Sequence, residues 1–475
     1  MKWMIAAPEI YYFAAALWFL LVSFVTRPDP KREQATAFIL AILGIAVCLG
    51  SVWSNGYLFI KAYRADLFTQ VFKVLLAFGL FLIATVCAEM PDLRRRNIRD
   101  FYLLLFTCTL AMMLLVSADH LLAIYLSLEL SSYSLYILVA LRKEGTFGLE
   151  AGIKYFLVGT FASAVMIFGM ALLYSATGSA YLTEIAKTVP AIIDRPVVMF
   201  ALVLILGGFF FKLAVFPFHF WAADTYQGAM NQVAAYIATS SKVAAIAILL
   251  RVVALVGQGS VYLGNALVIL SIVSMTLGNL AAIVQKDIKR LLAFSTIAHS
   301  GYIIIGILAM NTAGYTSAVF YAIALLLMKF TVFFVIIKVA YDGRDLQIEQ
   351  LAGLHRRSPI LALALMVSLF SLAGIPPTIG FTGKLLIFIA AIEKGYFTLV
   401  LIAMVNVVIS LYYYLLVIKA AYLLEPEGEL PVLYVSPSTK LLAGVLIVAI
   451  VAAGFFPYHF LEVARSAAQV LALSR

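Results

Sequence analysis

The chain has 475 residues, of which 64% are hydrophobic and 12% are charged, and its mean hydropathy is +1.06. A soluble globular domain carries about twice that share of charge, so the composition excludes a soluble enzyme or binding module. The net charge is +10, but the basic residues lie in short connections between apolar runs. That pattern orients a protein in the lipid bilayer and does not indicate a nucleic-acid partner.

Apolar runs long enough to cross a bilayer recur along the chain. About 20 apolar residues make one crossing, so we predict an all-α polytopic membrane protein with about 14 transmembrane helices. The first run has no small-residue cleavage site after it, and we expect it to remain as a helix. The predicted spans are 9–26, 36–53, 68–87, 101–117, 120–141, 151–175, 197–216, 230–253, 262–284, 288–310, 315–340, 359–394 (interrupted), 396–422 and 438–456.

The basic connections follow the odd-numbered spans. They read RPDPKRE, PDLRRRNIRD, RKEG, QKDIKR and DGRDLQIEQLAGLHRRS, whereas SADH, NTAGYTS and EKGYF carry few Lys or Arg. The positive-inside rule places the basic connections in the cytoplasm. With an even number of spans, both termini are predicted on the non-cytoplasmic side of a bacterial-type inner or plasma membrane.

Four ionisable side chains lie near the middle of predicted spans, namely Glu129, Lys212, Lys242 and Lys384. A charge in hydrocarbon costs roughly 2.5–3.5 kcal/mol on insertion scales, and such residues mark ion and proton pathways. From the middle of a span a lysine cannot extend to the interface. We interpret these four residues as functional.

Other intramembrane charges have a structural explanation as well as a functional one. Lys73, Lys154 and Lys338 lie near helix ends, where a lysine can extend to the interface. His299, taken alone, is more often a hydrogen-bonded contact between helices. Lys329 lies within the apolar stretch ALLLMKFTVFFVI.

Prolines interrupt two predicted spans. Pro217, in VFPFHFW, breaks span seven, and Pro376 with Pro377, in GIPPTIGFTG, breaks span twelve. Broken helices are tolerated at membrane depth where protein or a wet cavity satisfies the freed backbone groups, and they mark ion sites in transporters. Because each break lies within a few residues of Lys212 or Lys384, the two breaks favour a transport site.

The two halves of the chain correspond. A shift of five spans pairs Glu129 with His299, Lys154 with Lys329, and Lys212 with Lys384. An odd shift reverses the orientation, so spans 4–8 and 9–13 are predicted to be inverted five-helix repeats. The predicted units are helices 1–3 (1–100), the first repeat (101–255), the second repeat (256–425) and helix 14 (426–475).

The cysteines show no spacing typical of a metal or redox site. Cys48, Cys87 and Cys108 lie far apart in apolar runs, and we interpret them as buried inert thiols. The sequence also lacks a glycine-rich dinucleotide fingerprint and a histidine pair spaced for haem. We therefore expect no cofactor in this chain.

Six stretches resemble the antiporter-like membrane subunits of respiratory complex I, in particular the N subunit of NADH-quinone oxidoreductase. The motif GIPPTIGFTGK alone would also fit Mrp-type sodium/proton antiporter subunits. The six stretches are YLSLELSSYSLYILVA (125–140), EAGIKYFLVGTFASAVMIFGMALLYSATGS (150–179), FKLAVFPFHFWAADTYQGA (211–229), SSKVAAIAILLRV (240–252), NLAAIVQKDIKRLLAFSTIAHSGYIIIG (279–306) and GIPPTIGFTGKLLIF (374–388).

The resemblance implies proton translocation coupled to quinone reduction in partner subunits. Quinone, flavin and iron–sulfur clusters are then expected in those partners, and the neighbours are other antiporter-like and small helical subunits of the membrane arm. This chain would be part of a translocase without a redox site of its own. The implied proton-translocating residues are Glu129, Lys212, Lys242 and Lys384, and the connecting residues are His299, Lys329 and Lys154.

Two features depart from the family's pattern. After helix seven the chain reads WAAD and GAMNQ where W-x-P-D and G-A-P-T-P are usual, and Lys329 stands where Asn-Leu-Gly is frequent. Three alternatives therefore stay open: an Mrp-type cation/proton antiporter subunit, the N-type subunit of a complex I relative that uses ferredoxin or another donor, and a structural anchor whose buried charges only join helices.

Overall fold

The computed structural model describes residues 2–25, 27–88, 90–143, 147–254, 261–426, 433 and 435–473. Three 3-10 helices (Lys2–Ala6, Arg95–Asn97, Ile348–Leu351) and an antiparallel hairpin of β1 (Gly56–Leu58) and β2 (Tyr63–Ala65) accompany the α-helices. The α-helices are α1 (Ala7–Val25), α2 (Pro30–Gly50), α3 (Leu67–Val86), α4 (Ile98–Ser117), α5 (Leu121–Ala140), α6 (Phe147–Thr177), α7 (Leu182–Ile192), α8 (Pro196–Leu213), α9 (Trp221–Gly228), α10 (Asn231–Ala238), α11 (Ser240–Ala254), α12 (Val261–Ile283), α13 (Ile288–Leu308), α14 (Thr312–Val339), α15 (Leu354–Arg357), α16 (Pro359–Ala373), α17 (Ile379–Glu393), α18 (Phe397–Leu423), α19 (Pro437–Phe455) and α20 (Tyr458–Leu473).

The helix count agrees with the all-α membrane fold that the sequence predicts. Within the described residues, 13 helical segments are long and apolar enough to cross a membrane. The shorter pair α16 and α17 corresponds to the predicted span twelve and completes the fourteen. The division into two inverted repeats stays a prediction, and its boundary between residues 255 and 256 lies outside the described residues.

Both predicted helix breaks are confirmed. Helix α8 ends at Leu213, and Ala214 then adopts a left-handed conformation with φ of 61°. Helix α16 ends at Ala373, followed by Gly374 with φ of 90°. A cis peptide bond precedes Pro217 in the first break and Pro377 in the second. The chain therefore interrupts spans seven and twelve in the same way.

A third break lies in span eight, where the sequence shows neither proline nor glycine. Helix α10 ends at Ala238 and α11 begins at Ser240, with Thr239 between them at φ of −112° and ψ of −86°. The Thr239 hydroxyl donates to the Ala235 carbonyl at 2.7 Å, so the side chain satisfies a backbone group of the ending helix. This break places Lys242 in the first turn of α11.

Capping side chains fix where the central helices begin. The Asp287 carboxylate accepts a hydrogen bond from the Arg290 amide at 2.9 Å at the start of α13. The Asn311 side chain accepts one from the Gly314 amide at 2.8 Å at the start of α14. Each cap satisfies an amide that has no partner within its helix, and together they set the register of the two helices that carry His299 and Lys329.

Lys242, His299 and Lys329 lie on the innermost helices. The spans Asn231–Ala254 and Thr312–Val339 are wholly buried by other helices, and Ile288–Leu308 is nearly so. Outer spans such as Pro30–Gly50 and Phe397–Leu423 are only about one-third buried and expose apolar side chains. The fold thus surrounds its intramembrane charges with protein and presents hydrocarbon to the lipid.

The carboxyl-terminal region contains one helix more than the sequence analysis predicts. Helix α20 packs on α3 and α14 through a stripe of small buried residues at helical spacing, Ala464, Ala467, Ala468 and Leu471. Its sequence, YHFLEVARSAAQVLAL, is amphipathic and too polar for a span. A search for 20-residue apolar runs passes over such a helix.

Candidate proton-conducting site

Lys242 is held at the carboxyl-terminal end of a broken helix. Its Nζ donates to the Lys212 carbonyl in the last turn of α8 at 2.6 Å. The same ammonium group lies 4.9 Å from the centre of the Trp221 ring. The end of a helix carries partial negative charge and unsatisfied carbonyls, so the break creates a cation site inside the protein.

Lys384 occupies an equivalent arrangement in the second half. Its Nζ donates to the Leu372 and Ala373 carbonyls, both at 2.9 Å, at the end of α16. The Tyr302 ring lies beneath it at 4.8 Å. Lys384 is therefore matched in its surroundings by Lys242, whereas the sequence comparison pairs Lys384 with Lys212. The shared feature is an ammonium group between an aromatic face and the last carbonyls of a broken helix.

Lys212 differs from both because its ammonium group has no hydrogen-bond acceptor in the described part of the chain. The side chain is 3% exposed, and Nζ is buried without a partner. The charge of Glu129 is near enough to act on it electrostatically. Glu129 in turn is buried on α5, where it accepts a short hydrogen bond from Ser163 of α6.

His299 and Lys329 are joined by a chain of hydroxyl groups. Lys329 Nζ donates to Ser295 Oγ at 2.7 Å, and Ser295 Oγ lies 2.5 Å from Tyr414 Oη. Tyr414 Oη lies 3.2 Å from His299 Nε2, and the other ring nitrogen lies 2.7 Å from Tyr321 Oη. A hydroxyl both donates and accepts a hydrogen bond, so this chain contains the groups that proton transfer needs.

The row formed by Glu129, Lys212, Lys242, Lys329, His299 and Lys384 is not bonded throughout. Across the described residues, no hydrogen bond or ion pair joins Glu129 to Lys212, Lys242 to Lys329, or His299 to Lys384. Lys242 and Lys329, and likewise His299 and Lys384, are nevertheless close enough for their positive charges to repel each other. The structure therefore brings the six residues into one series with two directly bonded sections.

Lys154 has no bond to this row among the described residues, and its predicted place among the connecting residues stays a prediction. Its side chain is 47% exposed and forms ion pairs with Glu150 at 2.8 Å and Asp224 at 2.9 Å. Asp224 also binds Arg290 at 2.7 Å. Lys154 is near the start of α6, where its side chain reaches the helix-end charges of α9 and α13, so its repeat partner Lys329 does not share its surroundings.

Lys73 is also placed differently from the interfacial position that its sequence suggests. Its side chain is fully buried and forms an ion pair with Glu9 at 2.9 Å. It also donates to Tyr63 Oη at 2.7 Å. The pair joins α1 to α3, and no signal in the sequence connects these two distant residues.

The sequence analysis misses the side chains that line the charged groups. Ser295 and Tyr414 bridge Lys329 to His299, and Trp221 and Tyr302 support two lysines. In the sequence, a tyrosine or tryptophan within an apolar run cannot be told from a core residue. Only its proximity to a charged group in the structure identifies it as part of the site. The position of Ser295 one helical turn before His299 is the one weak signal.

The departure from the family's pattern after helix seven proves to be helical. WAADTYQG forms α9, and only Ala229 and Met230 separate it from α10.

The three cysteines are buried free thiols. In the ranges that the structure describes, no group of three or more His, Cys, Asp or Glu side chains is arranged to hold a metal ion.

Comparisons with known proteins agree on one family. Residues 118–410 match the family described as NADH:quinone oxidoreductase/Mrp antiporter, TM. The chain is 67% identical to NADH-quinone oxidoreductase subunit N 2 of Syntrophobacter fumaroxidans, over 99% of this chain and 100% of that protein. It is 39% identical to subunit N 2 of Solidesulfovibrio magneticus, over 97% of this chain and 99% of that protein.

A solved structure gives the same result. A chain of respiratory complex I from Thermus thermophilus superposes with a TM-score of 0.84 at 34% identity, covering 96% of this chain and 98% of that one. A chain of the Mrp complex from Dietzia superposes with a TM-score of 0.87 at 22% identity, covering 99% and 98%, which shows a shared fold alone. The chain belongs to the NADH:quinone oxidoreductase/Mrp antiporter transmembrane family, among the antiporter-like N subunits of NADH-quinone oxidoreductase, complex I.

Proposed function

We propose that this chain moves protons through the membrane along the buried row from Glu129 to Lys384. The observation that carries the proposal is the unequal binding of three buried lysines. Lys384 donates to two backbone carbonyls, Lys242 to one, and the Lys212 ammonium group to none in the described residues. Buried charges that cannot all be satisfied together respond to a change at any one of them.

The charge of Glu129 determines how strongly Lys212 holds its proton. At an effective dielectric constant of about 20, two charges ~4 Å apart interact by about 4 kcal/mol, which is an upper limit for Glu129 and Lys212 because no ion pair joins these two described residues. That energy corresponds to roughly three pKa units. When the Glu129 carboxylate is near, the Lys212 ammonium form is stabilised. When that charge is neutralised or drawn away, Lys212 releases its proton toward Lys242, which accepts it once Lys242 has passed its own proton onward and is neutral. Lys242 Nζ is held close by its hydrogen bond to the Lys212 carbonyl.

The later part of the path uses the hydroxyl chain. A proton that reaches Lys329 can pass through Ser295 and Tyr414 to His299, since each adjacent pair is within hydrogen-bond distance. Lys384, beyond His299, is the last lysine of the row. The coupling to quinone reduction takes place in partner subunits under this proposal, with both termini on the non-cytoplasmic side of a bacterial-type membrane.

The test replaces charged groups without large changes in side-chain volume. Glu129→Gln and Lys212→Met should each abolish proton uptake by proteoliposomes that contain the assembled complex, because each removes a charge that controls the next proton site. Glu150→Gln is the matched control, since Glu150 is exposed and its carboxylate pairs, within the described residues, with Lys154 outside the row. Wild-type proton uptake in an assembled Glu129→Gln or Lys212→Met complex would refute the proposal.

The same preparation separates the two remaining functions. A structural anchor predicts that Glu129→Gln reduces the yield of assembled complex before it changes proton uptake. A cation/proton antiporter predicts that an imposed sodium gradient drives proton movement when no electron donor is present. Our proposal predicts a normal yield of complex and proton movement that requires electron transfer.

A further inference from the structure

A basic cavity lies at one end of α2, α3 and α4, apart from the buried row. It has a volume of about 680 Å³ and is open to the surface. Among the described residues, three cationic side chains line it, Arg94, Arg95 and Lys143, together with apolar side chains that include Leu93 and Ile98. A cavity of this size falls within the range of small-molecule binding sites. We refer to it below as the basic cavity.

The cations of the basic cavity have no ion-pair partner among the residues that the structure describes. The nearby carboxylates of Glu33 and Asp92 are instead buried in other ion pairs. Glu33 binds Arg99 at 2.7 Å, and Asp92 binds Arg142 at 3.3 Å. The fold therefore withdraws these two acids from the surface, and the positive charge of the cavity stays uncompensated by the described side chains that line it.

The basic cavity also lies where a membrane meets water. Helix α2 begins at Pro30, α4 begins at Ile98, and α3 ends at Val86, so three spans start or finish beside it. The amino-terminal ends of α2 and α4 add partial positive charge. Apolar side chains share the wall of the cavity with the cations, and the cavity opens to the surface. An amphipathic anion fits this arrangement better than a free ion does.

We propose that the basic cavity binds the headgroup of an anionic phospholipid. The phosphate contacts Arg94, Arg95 and Lys143, and the acyl chains follow the apolar surface toward the bilayer core. Arginine binds phosphate oxygens through several donors in a fixed plane. Basic groups at the cytoplasmic surface attract anionic lipids. A zwitterionic lipid brings its own cation and gains less from this site.

Lipid binding is measured on the assembled complex by native mass spectrometry, during titration with phosphatidylglycerol or phosphatidylcholine. The cavity variant combines Arg94→Gln, Arg95→Gln and Lys143→Gln. The control variant combines Lys31→Gln, Arg32→Gln and Arg96→Gln, which removes the same charge from exposed residues at the starts of α2 and α4 that do not line the cavity. Arg95→Gln alone serves if the triple variant fails to assemble.

The cavity variant should bind phosphatidylglycerol on the order of 100-fold more weakly, since each basic residue contributes a factor of roughly five. The control variant should bind it as the wild type does, and phosphatidylcholine should not distinguish the three proteins. Equal phosphatidylglycerol binding by wild type and cavity variant would overturn the proposal. So would an equal loss in the control variant, or displacement of the lipid by millimolar inorganic phosphate. No electron transfer is needed, so this result is independent of proton translocation.

Discussion

Replacement of Lys242 by arginine tests whether Lys242 carries protons or only supplies a fixed positive charge. Lys242 Nζ binds the Lys212 carbonyl at 2.6 Å and lies 4.9 Å from the Trp221 ring, and an arginine side chain is able to make both kinds of contact. The two side chains differ in how readily they lose a proton. Their reference pKa values are about 10.4 and at least about 12.5.

The difference of about two pKa units sets the expected effect. In the same surroundings, arginine has a deprotonated fraction at least ~100-fold smaller than lysine, equivalent to roughly 3 kcal/mol. If Lys242 must release a proton in each cycle, Lys242→Arg should lower proton uptake by about that factor. Lys242→Met should lower it as far, because methionine carries no proton.

The measurement is proton uptake per electron by proteoliposomes of the assembled complex, with assembly checked by size-exclusion chromatography. Lys73→Arg is the matched control, because Lys73 is equally buried but pairs with Glu9 outside the row. It should keep wild-type uptake. Wild-type uptake in Lys242→Arg together with a loss in Lys242→Met would show that the site needs only a cation, and our reasoning would be wrong.

Two further predictions concern a hydroxyl bridge and a tight backbone contact. Tyr414→Phe removes the hydroxyl between Ser295 and His299 and should slow proton uptake roughly 10-fold. Tyr102→Phe should not, because the buried Tyr102 hydroxyl donates to the Cys87 carbonyl and contacts no residue of the row; equal rates in the two variants would contradict the proposed path. Gly343→Ala should lower the melting temperature of the complex further than Gly395→Ala. Both glycines have positive φ, but a Cβ at Gly343 would lie 1.3 Å from Asp92 Oδ1, whereas one at Gly395 meets open space. Equal shifts in a thermal unfolding assay would show that backbone conformation alone matters.

The sequence predicts the main charged residues because a charge inside an apolar run is conspicuous. Glu129, Lys212, Lys242 and Lys384 all lie buried, as their positions in the middle of spans indicate. Proline likewise predicts the breaks in spans seven and twelve, since it removes a backbone hydrogen-bond donor and its ring clashes with the preceding turn of the helix. These signals are local in sequence, and they need no knowledge of the neighbouring helices.

The features that the sequence does not predict depend on contacts between distant segments. Thr239 interrupts span eight without any residue that usually ends a helix. Tyr414 looks like a core aromatic until His299 and Ser295 are known to face it. The position of Lys73 near a helix end predicts that it extends to the interface, but Glu9 from another helix neutralises it where it is buried. In each case tertiary packing overrides the local pattern.

Three of the four lysines of the row, Lys212, Lys242 and Lys384, can be ordered by how firmly the protein holds their ammonium groups. Lys384 donates to two helix-end carbonyls, Lys242 to one, and Lys212 Nζ has no acceptor in the described part of the chain. Hydrogen bonds to a charged form stabilise that form. Lys212 therefore depends on the distant carboxylate of Glu129 more than the other two lysines do on any acid. A change in the charge of Glu129 therefore affects Lys212 before it affects the other two lysines. We infer that proton transfer along the row begins at Lys212.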